Sequence, residues 1–200
     1  MKKTLVVFAA LMMGAVMYAA KPVVLVSGTP AVLRDGGEAA HFVVDYDKAT
    51  FGNLNKKLEF KKPEETKTYQ EFLAALGENG AANWEKEHIF AEQGFADVFK
   101  MWEKKKMWVK IVKADEPAKY TIKLTMDKLD LGSAIGEIFA SQFIKTTVIL
   151  VGTVEYIDNE TGDVLATIAV KGVRGSDGYT TIMRLRSAYN ALSYGVLGLK

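Results

Sequence analysis

The stretch TTVILVGTVEYIDNETGDVLATIAVK, residues 146–171, decides the fold. Residues 146–157 form a long β-branched run, and Val164 to Lys171 form a second one. Between them, Asp158-Asn159-Glu160-Thr161-Gly162-Asp163 has the composition of a tight hairpin turn with its glycine in the left-handed position. Upstream, Tyr120, Ile122, Leu124 and Met126 alternate with Thr121, Lys123 and Thr125, the pattern of a half-buried strand. A further strand is predicted over Met107 to Val112. Downstream, past Gly175-Ser176-Asp177-Gly178, a terminal helix places Ile182, Leu185, Tyr189, Leu192 and Val196 on one face, with Arg184, Arg186 and Asn190 elsewhere.

The first half is read outward from there. Val23 to Ser27 is a strand, resuming at Ala31-Val32-Leu33, and Ala39 to Tyr46 is another. Arg34-Asp35-Gly36-Gly37-Glu38 supplies hairpin chemistry between them. On the second strand Phe42, Val44 and Tyr46 oppose His41, Asp45 and Asp47. Residues 47–67, with Lys56, Lys57, Lys61 and Lys62, read as a solvated connector. Thr68-Tyr69-Gln70-Glu71 has capping-box spacing. It opens a short helix to Leu76 that stops at Gly77. Asn79-Gly80 then breaks the chain before a main helix over residues 81–105. Trp84, His88, Ala91, Phe95, Val98 and Trp102 make its apolar stripe, and His88 is expected to be packed and bonded to backbone. The order β-β-α-α-β-β-β-β-α predicts an α+β fold: a mainly antiparallel or mixed sheet of five to six strands with two to three helices on one face.

The N-terminus carries a different message. In MKKTLVVFAALMMGAVMYAA, residues 1–20, two lysines precede an uncharged apolar run that closes on Ala19-Ala20. That is the layout of a secretory signal peptide, cleaved after Ala19 or Ala20. The run is too short and too interrupted for a membrane anchor of about 20 apolar residues. The expected organisation is therefore a leader, 1–20, and one α+β domain, 21–200, with no transmembrane segment after processing. The two-lysine leader points to a bacterial protein exported to the periplasm, to the outer membrane or to the medium. The chain has no cysteine, so neither a lipidated cysteine nor a disulfide is available. Its 26 basic and 24 acidic residues become 24 of each once the leader's two lysines are removed, a balance unlike that of a nucleic-acid binder.

Converging catalytic groups are scarce. His41 and His88 lie on different elements, and neither sits in a metal-ligand spacing. No Gly-x-Ser-x-Gly elbow or phosphate-binding loop occurs, and no cofactor is implied. Asp158, Glu160 and Asp163 lack the glycine and glutamate positions of a calcium loop and read as an acidic hairpin tip. The segment from Leu129 to Phe143 stands out, because Leu131, Ile135, Ile138, Phe139 and Phe143 are apolar where connectors are ordinarily polar. It is either core cover or an interaction patch for a partner or lipid surface.

The run Phe95-Ala-Asp-Val-Phe-Lys-Met-Trp102, the strands over 107–112 and 118–124, and Thr153-Val-Glu-Tyr-Ile-Asp158-Asn-Glu-Thr-Gly162-Asp-Val164 resemble small bacterial envelope domains. These are the TolB N-terminal-like domains, with their relatives in curli-secretion and penicillin-binding-protein-activator lipoproteins. The resemblance spans residues 90–200. It implies a helix and strands closed by a last helix, and binding or assembly roles without catalysis.

The expected function is that of an exported, non-enzymatic envelope protein that binds an unidentified envelope protein or surface. The alternative is a small secreted hydrolase or ligand-binding protein using His41, Asp45 and Asp47. A homodimer through the edge strand at 107–112 is a third expectation.

Overall fold

A computed structural model describes residues 21–52, 66–103, 108–132, 147–175 and 178–199. The expected leader, Ile135, Ile138, Phe139 and Phe143, and the lysines of the 53–65 connector lie outside the described residues. The described elements are β1 (Val23–Gly28), a 3₁₀ turn (Pro30–Arg34), β2 (Ala39–Asp45), β3 (Thr50–Phe51), β4 (Lys67–Thr68), α1 (Tyr69–Glu103), β5 (Lys110–Ile111), β6 (Tyr120–Asp130), β7 (Val148–Asp158), β8 (Val164–Gly175) and α2 (Thr181–Leu197).

The fold is α+β, and its sheet is mixed. Among the described residues it has eight strands rather than five or six, ordered β1-β8-β7-β6-β2-β5, with β3 pairing β6 and β4. The hairpin at 158–163 forms as expected, and β6, β7 and β8 make an antiparallel meander. Asp158 Oδ1 holds the turn by accepting from the Glu160 and Thr161 amides at 2.8 and 3.2 Å. The two additional short strands, β3 and β4, come from the ends of the expected polar connector.

The opening hairpin does not form. β1 pairs antiparallel with β8 at one edge, whereas β2 lies parallel to both β6 and β5 near the other. Ala31 and Leu33 belong to the 3₁₀ turn capped by Thr29, whose hydroxyl accepts from the Ala31 amide. Turn residues favour a reversal, but they do not choose which strand the chain pairs with next.

Alternation along β6 sorts the sheet into two faces. Ile122, Leu124 and Met126 are fully buried, while Thr121, Lys123 and Thr125 stay half-exposed on the other side. Phe42 of β2 stacks on Phe95 of α1 at 4.0 Å and meets Tyr189 of α2 edge-on at 6.1 Å. Both helices therefore pack on the same face. The opposite face carries Lys123, bridged to Asp45 at 2.8 Å, with threonines around it. This is the one-side-packed arrangement common in antiparallel sheets.

The expected short helix ends at Gly77 as the sequence indicates. The main helix begins directly after it rather than beyond Asn79-Gly80, so that α1 is two helical segments joined at that residue. The kink is at Gly77, whose φ of 69° suits glycine, and Asn79-Gly80 continues helically. The capping box is present: the Thr68 amide donates to Glu71 Oε2 at 2.8 Å, and the Glu71 amide donates to Thr68 Oγ1 at 3.3 Å. Leu185, Tyr189, Leu192 and Val196 of α2 are buried as expected. Arg184, expected elsewhere, is also buried, donating to the Tyr179 carbonyl and the Thr181 hydroxyl. The expected edge strand at 107–112 shrinks to the two residues of β5. The longer single-paired edge is β1.

Candidate functional site

The polar trio is the first sequence-derived site to place. His41 and Asp45 lie four residues apart along β2, about 13 Å at strand rise. The His41 Nε2–H donates to the Glu116 carbonyl at 2.8 Å. Asp45 is paired with Lys123, whose bond is the main cause holding that carboxyl below the usual range, and it also accepts from the Asp47 amide at 3.1 Å. Asp47 lies beyond the strand end and is exposed. The three groups do not converge on one point.

His88 is packed, but its partners are carboxylates rather than backbone. Nδ1 meets Glu92 Oε1 at 2.8 Å, and Nε2 meets Glu85 Oε2 at 3.4 Å. The spacing i−3 and i+4 puts all three groups on one side of α1, a signal visible in the sequence. Glu92 Oε1 also accepts from the Tyr46 hydroxyl at 3.0 Å, and the two hydroxyls of Tyr46 and Tyr189 are 2.6 Å apart. With Tyr46 donating to Glu92, Tyr189 is the donor to Tyr46. At the outer end, the Tyr69 hydroxyl donates to Glu85 Oε1 at 3.0 Å. The end of β2, both helices and the helix start thus meet in one continuous chain of hydrogen bonds.

Its electrostatics follow from burial. Tyr46 and Tyr189 are pushed far up, first by desolvation and then by neighbouring oxygens. Burial opposes a charge on His88, but the Glu92 and Glu85 carboxylates outweigh it and raise the imidazole above its usual range. Because the two ring nitrogens address different carboxylates on opposite sides, the group does not present a common vertex to a metal ion. No cluster of three metal-ligating side chains occurs among the described residues.

The other face of the same aromatic cluster is open. Phe51 stacks on Phe72 at 4.3 Å and on Tyr69 at 5.6 Å, and Trp84 closes edge-on to Phe72 at 5.1 Å. Beyond them lies a cavity of about 510 Å³. Phe51, Phe72 and Leu129 form its apolar floor, Gly52, Leu131 and Gly132 its margin, and Lys67 its one charged lining group among the described residues.

Local structure explains each position. β3 runs parallel to β6 beyond the end of β2, which sets Phe51 beside Leu129. β4 pairs antiparallel with β3, setting Lys67 opposite Phe51, and the capping box then turns the chain to present Phe72. Asp130, fully buried, accepts from the Gly132 amide at 2.7 Å and so holds the turn that offers Leu131. Of the predicted patch, Leu131 lines this cavity, while Ile135, Ile138, Phe139 and Phe143 lie outside the described residues. Sequence reasoning did not find Phe51, Lys67 and Phe72, because strands of two residues carry no periodicity.

No family model matches the chain, and no curated protein matches it. Among solved structures, the chain is similar to a PelC dodecamer from Paraburkholderia phytofirmans. The TM-score is 0.42 at 12% identity, covering 89% of this chain and 97% of that one. It is also similar to protein XCC0632 from Xanthomonas campestris, of family DUF330, with TM-score 0.40 at 11% identity, covering 86% and 88%.

Proposed function

We propose that the chain is an exported, non-enzymatic protein of the bacterial cell envelope, a binding or assembly module that engages its partner at the cavity beside Leu131. The carrying observation is the division of labour between side chains. His41, Asp45, His88 and Glu92 are engaged in bonds away from the cavity, and the cavity itself is aromatic and aliphatic with one lysine. Binding sites join apolar walls to placed polar groups, and this cavity sets aromatic and aliphatic side chains beside an equal share of polar surface. The leader-like residues 1–20 support export, and the resemblance of residues 90–200 to TolB N-terminal-like domains supports an envelope role. No helix among the described residues is long and apolar enough to cross a membrane.

The full chain, expressed with a C-terminal tag in a bacterial host, tests export. A mature mass lacking residues 1–19 or 1–20, recovered with the envelope, is expected; an uncleaved cytoplasmic chain overturns the reading. Photo-cross-linkers installed at Leu131 and at Val43, on the opposite sheet face, test the surface. Adducts at 131 and not at 43 are expected. Equal labelling at both, or a hydrolytic activity abolished by Asp45→Asn, rejects the proposal.

A further inference from the structure

The cavity has a chemistry narrower than "apolar". Its floor is a slab of parallel rings, with Phe51 and Phe72 inclined by only 9°, and Leu129 beside them is fully buried. A volume of about 510 Å³ falls within the range of small-molecule sites and is concave, so it suits one flexible chain rather than a flat bilayer surface. Lys67 is exposed at the edge of this floor. The nearest carboxylate on the helix start, Glu71, already accepts from the Thr68 amide and hydroxyl at 2.8 and 3.0 Å. Among the described residues Lys67 is the cavity's one charged lining group, so the rim offers an ammonium, with Glu71 in its field, above a lining that is part apolar and part polar.

We propose that this cavity holds a single anionic amphiphile, its alkyl chain against the half-buried Phe72 and Leu131, which the buried Phe51 and Leu129 back, and its anionic head at the Lys67 ammonium. The inference deepens the binding-module reading by naming the ligand class, and it rests on that reading's choice of surface. Burial of the alkyl chain supplies affinity, because each methylene removed from water favours the bound state. Lys67 supplies orientation and the choice of head-group charge.

Titration calorimetry of the chain with dodecanoate, and with dodecyltrimethylammonium, both below micelle formation, tests it. Dodecanoate is expected to bind one to one and roughly ten-fold more tightly than the cation. Lys67→Glu should weaken dodecanoate roughly three- to ten-fold and tighten the cation, the size of a solvent-exposed charge pair changed in sign. Leu131→Glu should weaken both alkyl chains by roughly ten-fold or more. Circular dichroism of each variant separates lost binding from lost folding, and Leu131→Ala serves if Leu131→Glu unfolds. Equal affinity for both head groups overturns the proposal, as does binding unaffected by either variant. Binding to phosphatidylglycerol vesicles without binding to monomeric dodecanoate overturns it too, in favour of a membrane surface. Failure here leaves export and cross-linking at 131 standing, whereas a cytoplasmic, uncleaved chain removes the envelope reading and leaves the calorimetry intact.

Discussion

One aromatic cluster separates two regions of opposite character. On one side Tyr46, Tyr189, Glu92, His88 and Glu85 close on one another through hydrogen bonds of 2.6 to 3.4 Å. On the other, the half-buried Phe72, backed by Phe51, borders the cavity beside Leu131 and Lys67. The polar side draws on Tyr46 just after β2, the middle of α1 and Tyr189 of α2, whereas the open side draws on β3, β4, the start of α1 and the end of β6. The buried side must satisfy its polar groups, since a buried unpaired donor or acceptor costs about 1–3 kcal/mol. The open side leaves Phe72 and Leu131 half-exposed, apolar groups that gain by being covered. Rigidity and binding capacity thus come from the same rings.

Phe51 is the wall common to both regions, and Phe51→Ala is the severest way to break the contrast. Only 4% of this residue is exposed, and its ring contacts Tyr46, Tyr69, Phe72 and Trp84. A loss of about 3–5 kcal/mol in urea unfolding is expected, as for other buried phenylalanines. A loss below about 1 kcal/mol would mean that the two regions do not share a wall.

Glu92→Leu attacks the polar side alone. It removes the acceptor for the Tyr46 hydroxyl and for His88 while roughly conserving volume. A cost of about 1–3 kcal/mol is expected from the stranded donors, with amphiphile binding retained. If binding collapses while the variant remains folded by circular dichroism, the two regions are coupled and their separation is wrong.

How much of this was legible follows from the range of each signal. β6, the 158–163 hairpin, the capping box and the buried stripe of α2 are local patterns, with period two, period 3.6 or turn chemistry, and they are where the residues place them. The pairing of β2 with β6 is non-local and parallel, and nothing in Arg34–Glu38 distinguishes it from a hairpin. The His88 partners were within reach, since Glu85 and Glu92 stand at helical spacing, but a histidine on an apolar stripe draws attention to packing. Tyr46 and Tyr189 lie 143 residues apart, and their contact depends on the whole sheet. Of the cavity, Leu131 was visible as an apolar residue in an unexpected place. Phe51, Lys67 and Phe72 needed the pairing of β3 with β4 and β6 to bring them together.

The pH dependence of stability sharpens the contrast more gently. Held above its usual 6.5 by Glu92 and Glu85 against the effect of burial, His88 binds its proton more tightly folded than unfolded. Its contribution is therefore complete below the unfolded value and is lost as pH rises through the raised folded one. Stability measured by urea midpoint should fall between pH 6 and pH 8 by on the order of 0.5 kcal/mol, the size of a helix ion pair. His88→Gln should flatten that fall. Because His41 is the other imidazole in the chain, an unchanged slope in His88→Gln would assign the effect away from the polar region.

The smallest expected stability change belongs to Lys67→Glu, and it separates the regions most cleanly. Lys67 is exposed, on a two-residue strand whose pairing runs through backbone atoms. Reversing its charge should leave urea stability within about 0.5 kcal/mol, as for surface sites remote from special features. On the polar side, removing one carboxylate strands two donors; on the cavity side, inverting a charge strands none. A change that is silent in unfolding but inverts head-group preference in calorimetry marks a residue kept for its ligand. A loss above about 1 kcal/mol would instead tie Lys67 to the helix start through Glu71, making the rim part of the fold.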